Sequence, residues 1–235
     1  FLRRLILKMG FEYIQHYKWL RARFIDYYKI DPQKVHQVYS GPFEIFKEFR
    51  PVKCTALNDY ILFFGRISPY KGIDTLINAF LKCKDQHPDL DTKLCIAGSG
   101  DLWFDASIIN HPDIEFINRY IQNGELVYLI QNCRFVALPY SDSTHSAVTM
   151  TAYAFNKSVV ATNVGGLHEV IKNNITGYLV PQGDPYQMGE LFYRLSVDNQ
   201  VLSRFERNIR DLVRTGELNW EQIAEAMKKI YLKKL

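Results

Sequence analysis

The chain has 235 residues, 47% of them hydrophobic and 23% charged, so it can bury a substantial core and does not have the composition of a disordered protein. The net charge of +4 is modest, and the four cysteines lie far apart without a Cys-x-x-Cys pair, which excludes the usual redox and zinc spacings. No window approaches the roughly 20 apolar residues that cross a bilayer, and no signal-peptide pattern opens the chain. We therefore expect a soluble, cytoplasmic protein.

Basic residues cluster near the two ends of the chain, at Arg3, Arg4 and Lys8 and at Lys228, Lys229, Lys233 and Lys234. A solvated helix face is the simpler interpretation. Peripheral contact with an acidic membrane surface is the alternative, since each clustered cation near anionic lipid contributes roughly 1 kcal/mol. Nucleic acid is not indicated as a partner, because the basic residues are not interleaved with aromatic residues along one stripe.

The first segment is aromatic and has a helical pattern from Phe1 to about Tyr28, with apolar residues at spacings of three and four. Because it opens in this pattern without an initiator methionine, we expect the chain to be a fragment. Proline disfavours helix in the residue before it, so the helix is predicted to end by Pro32. A short β-like run at 35–39 follows, and residues 43–58 have the character of a linker.

Short apolar runs alternate with amphipathic stretches from Tyr60 onward. The runs predict strands at Tyr60–Phe64, Lys93–Ala97, Ile114–Ile117, Phe135–Leu138, Val159–Ala161 and Tyr178–Val180. The stretches long enough for crossover helices include Gly72–Asp85, Gly124–Asn132 and Ala147–Phe155. Strands separated by crossover helices indicate a parallel sheet that is covered on both faces.

Helices alone are predicted after Pro181, at Asp184–Val197, Val201–Arg214 and Asn219–Leu235. The fold class is therefore α/β, a Rossmann-like doubly wound parallel sheet over residues 59–215 with extra C-terminal helices. The last helix, within 216–235, has one apolar face that needs a partner surface.

Ligands of an open parallel sheet bind outside the carboxyl ends of its strands, so the strand-to-helix turns are the candidate sites. The first predicted strand ends at Gly65, Arg66 follows at once, and Lys71 lies where the next helix begins. Two cations beside a helix N-terminus suit a diphosphate, which Arg can bind in a fork and Lys as a mobile charge. An exposed loop with two solvated cations fits the same spacing.

Three further turns carry polar or ring-bearing residues. They contain Gly98; Arg119, Tyr120 and Ile121; and the run Ser143, Thr144, His145, Ser146 and Ala147. Glycine lets a backbone approach closely, the second turn offers a ring for a base, and the third offers hydroxyls and helix amides for an anion. Helix capping competes as the explanation of any one of these hydroxyls, and a structural role competes for Tyr120 and His145.

Read in order, the turns resemble the C-terminal domain of the retaining glycosyltransferases of family four, the C-terminal half of a GT-B fold. The resemblance covers residues 60–184 and is carried by Gly65-Arg66, Lys71-Gly72-Ile73-Asp74, Ile96-Ala97-Gly98-Ser99-Gly100, Val159-Val160-Ala161-Thr162, Val164-Gly165-Gly166-Leu167-His168-Glu169-Val170 and Thr176-Gly177-Tyr178-Leu179-Val180. Residues 1–42 resemble the end of the N-terminal acceptor domain, and the final helix resembles the one that crosses back to it.

The resemblance implies a nucleotide-sugar donor, with no metal and no further cofactor. Arg66 and Lys71 would bind the donor diphosphate and stabilise the leaving group. Arg119, Tyr120 and Ile121 would line the base pocket, and Ser143–Ala147 would face the sugar and phosphates. The acceptor, a glycan, a lipid or another molecule, would be bound by the missing N-terminal domain, and the pathway would be polysaccharide or glycan biosynthesis. The fragment alone would lack turnover.

One departure concerns the two glutamates, with seven residues between them, that the family commonly carries to contact the sugar and the ribose. Ser143 and Thr151 occupy these places, and neither can supply a carboxylate. A subgroup with the pattern Pro-Tyr-x-x-x-Thr-x-Ser, seen here from Pro139 to Ser146, also lacks the pair. Membership of that subgroup would preserve activity.

Three hypotheses follow. The first is a hexosyltransferase-like enzyme domain that binds a nucleotide sugar, and the second is a degenerate, non-catalytic relative that binds nucleotide or acts as a scaffold. The third is an epimerase or an NAD-binding domain on a similar fold. The third lacks support, because an NAD site would show the full glycine fingerprint and an acid about 20 residues further on.

Overall fold

The computed structural model describes residues 11–144 and 146–232. The first of these residues form two short strands around a helix: β1 (Tyr13–Gln15), α1 (Lys18–Tyr28) and β2 (Val35–Gln37). Strands β1 and β2 pair in parallel. A 3-10 helix, Glu44–Glu48, lies in the predicted linker.

The prediction of one continuous helix up to Tyr28 is wrong at Tyr13–Gln15, which form a strand, and its first part lies outside the described residues. Tyr and Ile suit a strand as well as a helix, and pairing with β2 decides between the two. Tyr17 is extended, with φ −129° and ψ 148°, so the helix begins only at Lys18.

Six parallel strands form the main sheet in the order β5-β4-β3-β6-β7-β8. They are β3 (Tyr60–Phe64), β4 (Lys93–Gly98), β5 (Ile114–Asn118), β6 (Cys133–Leu138), β7 (Val159–Thr162) and β8 (Gly177–Val180). Every residue of β3 is buried, as expected for a central strand with both faces covered. The strand order confirms the predicted α/β, Rossmann-like architecture.

The remaining helices are α2 (Ile73–Gln86), α3 (Asn123–Asn132), α4 (Ala147–Ala154), α5 (Leu167–Val170), α6 (Pro185–Val197), α7 (Asn199–Arg214) and α8 (Trp220–Leu232). Their starts follow the sequence chemistry. Asp184 and Asp198 each accept a backbone N–H in the first turn of α6 and α7, and Pro185 opens α6.

The final helix α8 lies against the end of the N-terminal segment. The Trp220 Nε1–H donates to the Pro42 carbonyl over 3.0 Å, and a Cβ at Gly41 would lie 2.5 Å from the Trp220 ring. Ile223 is the buried residue of this helix. These contacts supply part of the partner surface that the apolar face of α8 requires.

Candidate functional site

The centre of the candidate site is the carboxyl edge between β3 and β6, where the strand order reverses. Crossovers run in opposite directions from this switch point, which leaves a crevice above the two strands. The turns after β3 and β6 are fastened to each other, because the Ser141 N–H donates to the Tyr70 carbonyl over 2.9 Å. Gly72 adopts φ +64°, and a Cβ there would lie 2.0 Å from the Pro139 oxygen. Only glycine permits this approach.

Arg66 and Lys71 both lie in the turn after β3, as predicted, and the structure brings them together. Arg66 is exposed, whereas Lys71 is half-buried. Burial, and secondarily the charge of Arg66, lowers the pKa of Lys71 to about 8. Within residues 11–144 and 146–232, neither cation forms an ion pair with a carboxylate. Two cations without a carboxylate partner in the described chain make this part of the switch point electropositive.

A cavity of about 260 Å³ opens beside Arg66, whereas Lys71 lies outside its lining. Its lining consists of Phe64, Gly65, Arg66, Ala97, Gly98, Ser99, Tyr120, Ile121 and Leu126. The glycines explain how the turns after β3 and β4 come so close, since a Cβ at Gly98 would lie 1.7 Å from the Gly65 oxygen. The structure therefore gathers five predicted residues, from Gly65 to Ile121, around one opening.

Arg119, a predicted base-pocket residue, already forms an ion pair with Glu125. Its guanidinium donates to both carboxylate oxygens of Glu125, over 2.7 and 2.8 Å, and to the Tyr120 carbonyl. The hydrogen bonds from Arg119, and then that from the Gln122 N–H, lower the pKa of Glu125 to about 2. Glu125 and Gln122 also form the capping box of α3. Arg119 thus fixes the turn, and the exposed Tyr120 ring is left beside the cavity.

The turn after β6 is more buried than the sequence suggests. Ser143 is 7% exposed, and its carbonyl lies where a Cβ at Gly165 would be 1.5 Å away. Ser146 caps α4 through a 3.1 Å bond from the Thr149 N–H to its Oγ, so the capping interpretation holds for this hydroxyl. Thr144 and Ala147 are exposed, and His145 lies outside the described residues.

Thr151 lies inside α4, where it is 3% exposed, and its hydroxyl donates to the Ala147 carbonyl over 2.8 Å. Its only hydrogen-bond donor is therefore used within its own helix. The structure does not bring Thr151 into the cavity beside Arg66 and Lys71.

One buried carboxylate on this side of the edge, Glu169, was not predicted as a functional residue. Its oxygens accept the backbone N–H groups of Lys18 and Trp19 over 2.7 and 2.6 Å, at the start of α1. The Tyr17 ring packs over Gly166, where a Cβ would be 2.3 Å away. Glu169 therefore fastens the N-terminal segment to the turn after β7.

Sequence reasoning also missed Tyr70 and Tyr140 as functional residues, although both lie beside Lys71. The ammonium nitrogen is 3.7 Å from the centre of the Tyr140 ring and 5.0 Å from that of Tyr70. Tyr140 follows β6, the fourth strand of the domain. Its position beside Lys71 follows from the pairing of β3 with β6.

The described part of the chain contains no group of three or more His, Cys, Asp or Glu side chains arranged to hold a metal ion. In the same part, no helix is both long enough and apolar enough to span a bilayer.

Comparisons with known proteins agree with this geometry. The family model described as glycosyl transferases group 1 matches residues 58–198, more than half of the chain. A D-inositol 3-phosphate glycosyltransferase of Frankia alni is 26% identical over 229 residues, covering 90% of this chain and 56% of that protein. An uncharacterized glycosyltransferase of Methanocaldococcus jannaschii is 25% identical over 174 residues, covering 72% and 47%. The chain thus spans about half the length of these relatives.

Two solved structures show the same fold. Sucrose-phosphate synthase from Thermosynechococcus elongatus superposes with a TM-score of 0.78 at 22% identity, over 99% of this chain and 60% of that one. HepE of Anabaena, solved in complex with UDP-glucose, superposes with a TM-score of 0.73 at 18% identity, over 96% and 65%. Together with the family match over the six-stranded domain, these similarities show that the chain belongs to the glycosyl transferases of group 1.

Proposed function

We propose that the chain is the donor-binding half of a retaining glycosyltransferase of family four, which transfers a sugar from a nucleoside diphosphate to an acceptor. The observation that carries the proposal is the pair of cations, Arg66 and Lys71, at the switch point of the sheet with no carboxylate paired to either in the described chain. A helix N-terminus follows them at Ile73. An anion at this point gains from both charges and from free backbone amides.

These residues suit the chemistry of sugar transfer. Breaking the bond between the sugar and the diphosphate leaves negative charge on the departing phosphate, and preorganised cations stabilise that charge. Lys71 remains mostly protonated at pH 7, since its pKa of about 8 is still above that value. Arg66 and Lys71 are therefore the proposed catalytic residues, and the proposed reaction uses neither a metal nor a further cofactor.

The cavity beside Arg66 is the proposed site of the nucleoside. Tyr120 offers an exposed ring for stacking, Ile121 an apolar wall, and Gly65 and Gly98 backbone groups without side chains in the way. The structures of HepE with UDP and with UDP-glucose support a uridine nucleotide as the first donor to test.

The acceptor and the cellular setting belong to the same proposal. We propose that the acceptor is a glycan or a lipid, in polysaccharide or glycan biosynthesis, and that it is bound mainly by the half of the enzyme beyond this chain. Lys228, Lys229, Tyr231 and Leu232 are exposed together near the end of α8, a combination that fits peripheral contact with a cytoplasmic membrane face.

Calorimetric titration of the 235-residue chain with UDP, GDP and ADP tests the donor site. We expect one of them to bind, and Arg66→Ala or Lys71→Ala to weaken that binding by roughly 10-fold or more, since a hydrogen bond to a charged group contributes about 1.5–3 kcal/mol. Lys82→Ala is the control, because Lys82 lies within α2 over the Tyr186 ring and not in the turn after β3 that carries Arg66 and Lys71. Absence of binding by folded chain to all three nucleotides would contradict the proposal.

One observation favours the second candidate, a non-catalytic relative. Ser143 and Thr151 are buried where the family commonly has carboxylates, and the Thr151 hydroxyl is bonded within α4. The two candidates differ in turnover. Sugar transfer by the longer protein, followed by NMR of the anomeric configuration of the product, separates enzyme from scaffold and tests retention.

A further inference from the structure

The ammonium group of Lys71 lies on two tyrosine rings. Its nitrogen is 3.7 Å from the centre of the Tyr140 ring and 5.0 Å from the centre of the Tyr70 ring. The rings themselves contact edge to face, with centres 6.5 Å apart. Tyr140 is fully buried, whereas Tyr70 is 45% exposed. We call this pair of rings the aromatic seat.

The aromatic seat joins the two turns of the switch point. Tyr70 follows β3 and Tyr140 follows β6, and the Ser141 N–H donates to the Tyr70 carbonyl. The Tyr140 carbonyl in turn accepts the Thr162 hydroxyl at the end of β7 over 2.5 Å. The backbone at Tyr140 and Ser141 is therefore bonded to the turn after β3 and to the Thr162 side chain, which positions Tyr140 between them.

Lys71 differs in this respect from other basic residues close to the sheet. Arg119 is paired with Glu125, Arg134 with Asp59, and Lys84 with Asp113. A carboxylate neutralises the cation that it holds. An aromatic face attracts a cation through the ring quadrupole and adds no net charge, so the full positive charge remains available to an anion.

We propose that Tyr140 is a positioning residue for the donor diphosphate, whose ring holds the Lys71 ammonium at the carboxyl edge without neutralising it. This inference rests on the proposed function, because it assigns to Tyr140 a part in the same anion site. Tyr140 acts through Lys71 and does not itself contact the diphosphate.

The pH dependence of nucleotide binding follows from the surroundings of Lys71. Within the described residues, the charged and titratable groups found around it are Arg66, Tyr70 and Tyr140. Burial and the Arg66 charge lower its pKa to about 8, so the ammonium form is lost as the pH rises through that value. If only this form binds, the affinity for UDP falls roughly 10-fold between pH 7 and pH 9.

Titration of the full chain with UDP between pH 7 and pH 9.5 tests the proposal through three variants. Tyr140→Phe keeps the ring and is expected to match the wild type. Tyr140→Leu keeps the site apolar without a ring, so binding should weaken by roughly 5- to 30-fold and the alkaline midpoint should move to lower pH. Tyr186→Leu is the control, because it removes a ring that lies 3.9 Å from Lys82 and not one beside Lys71, and it should change neither quantity.

Removing a fully buried ring could instead unfold the chain, so a second series retains the shape. Phenylalanines with increasing numbers of ring fluorines, incorporated at position 140, weaken the quadrupole stepwise. The logarithm of UDP affinity is expected to fall with each fluorine. Equal affinity across the fluorine series, or a Tyr140→Leu variant that binds with wild-type affinity and midpoint, would overturn the role of Tyr140.

The two proposals fail in distinguishable ways. If the wild-type chain binds no nucleotide, the donor site itself is refuted. If the wild type binds and Lys71→Ala does not, while the ring chemistry at position 140 has no effect, the donor site stands and the role of Tyr140 is refuted.

Discussion

Two regions of the carboxyl edge use their polar residues in opposite ways. In the turn after β3, Arg66 and Lys71 carry charges that no carboxylate of the described chain neutralises. In the turns after β6 and β7, the Ser146 hydroxyl caps α4, the Thr151 hydroxyl bonds within that helix, and the Glu169 carboxylate holds the start of α1. The first region leaves its charges without a carboxylate partner, whereas the second uses its polar groups in hydrogen bonds that stabilise the fold.

The difference shows which residues are informative about ligand binding in a chain that lacks the pair of glutamates common in the family. A charge left unpaired at a switch point indicates a ligand, because the fold gains little from holding it there. A small hydroxyl at the start or inside of a helix is explained by the helix itself. The cation side therefore supports donor binding, and the hydroxyl side supports the position of the N-terminal segment.

Both regions depend on glycines in close approach, and substitutions there have the largest expected effect. A Cβ at Gly72 would meet the Pro139 oxygen at 2.0 Å and one at Gly165 the Ser143 oxygen at 1.5 Å, both at positive φ. Gly72→Ala and Gly165→Ala should each lower the free energy of unfolding by roughly 3 kcal/mol or more, measured by urea titration.

Gly183 provides the control for that measurement. It also has positive φ, at +77°, but a Cβ there meets nothing within 4 Å. Gly183→Ala should therefore show only the conformational cost, about 1 kcal/mol. If the three variants were equally stable, close contact of the turns would not be what requires Gly72 and Gly165.

The sequence predicts the sheet well, because parallel strands that are buried on both faces consist of nearly continuous apolar runs. The bounds Tyr60–Phe64 agree with the structure, and the other five strands are longer by one or two residues. The missed residues include Gly98, Asn118 and Thr162, which are polar or small and extend the pairing without extending the apolar run. The predicted helix before Pro32 failed at Tyr13–Gln15, where pairing with β2 overrides a local pattern.

The site is predictable only in part. Each strand-to-helix turn can be assigned to the carboxyl edge, which is why Arg66 and Lys71 could be named. That Tyr140 lies under Lys71 depends on β3 and β6 being neighbours, a long-range pairing that spacing along the chain does not encode. The burial of Thr151 likewise depends on the tertiary packing around α4, in which every residue from Thr149 to Ala154 is buried.

A substitution of Glu169 tests its structural role, and its expected effect on stability is smaller than that of the glycine variants. Glu169→Gln removes the charge and leaves one accepting oxygen, so only one of the N–H groups of Lys18 and Trp19 keeps its acceptor, and the free energy of unfolding should fall by roughly 1–3 kcal/mol. Amide hydrogen exchange at Lys18 and Trp19 should quicken more than elsewhere. Glu225→Gln, at an exposed ion pair with Lys228, is the control that should change neither quantity.

Unchanged exchange at Lys18 and Trp19 in the Glu169→Gln variant would show that the fold holds α1 without this carboxylate. The fold would then not need the polar groups in the turns after β6 and β7, and their contrast with Arg66 and Lys71 in the turn after β3 would weaken.

The substitution with the smallest expected effect, Thr151→Ala, tests the comparison between the two regions most directly. Thr151→Ala should leave UDP affinity within about twofold of the wild type, because the lost hydroxyl is bonded to the Ala147 carbonyl inside α4 rather than to a ligand. Arg66→Ala, titrated in parallel, should weaken binding by roughly 10-fold or more. A comparable loss in both variants would mean that Thr151 turns toward the ribose when the nucleotide binds. The position of the second family glutamate would then keep its function through a hydroxyl, and the division between a ligand side and a structural side would not hold.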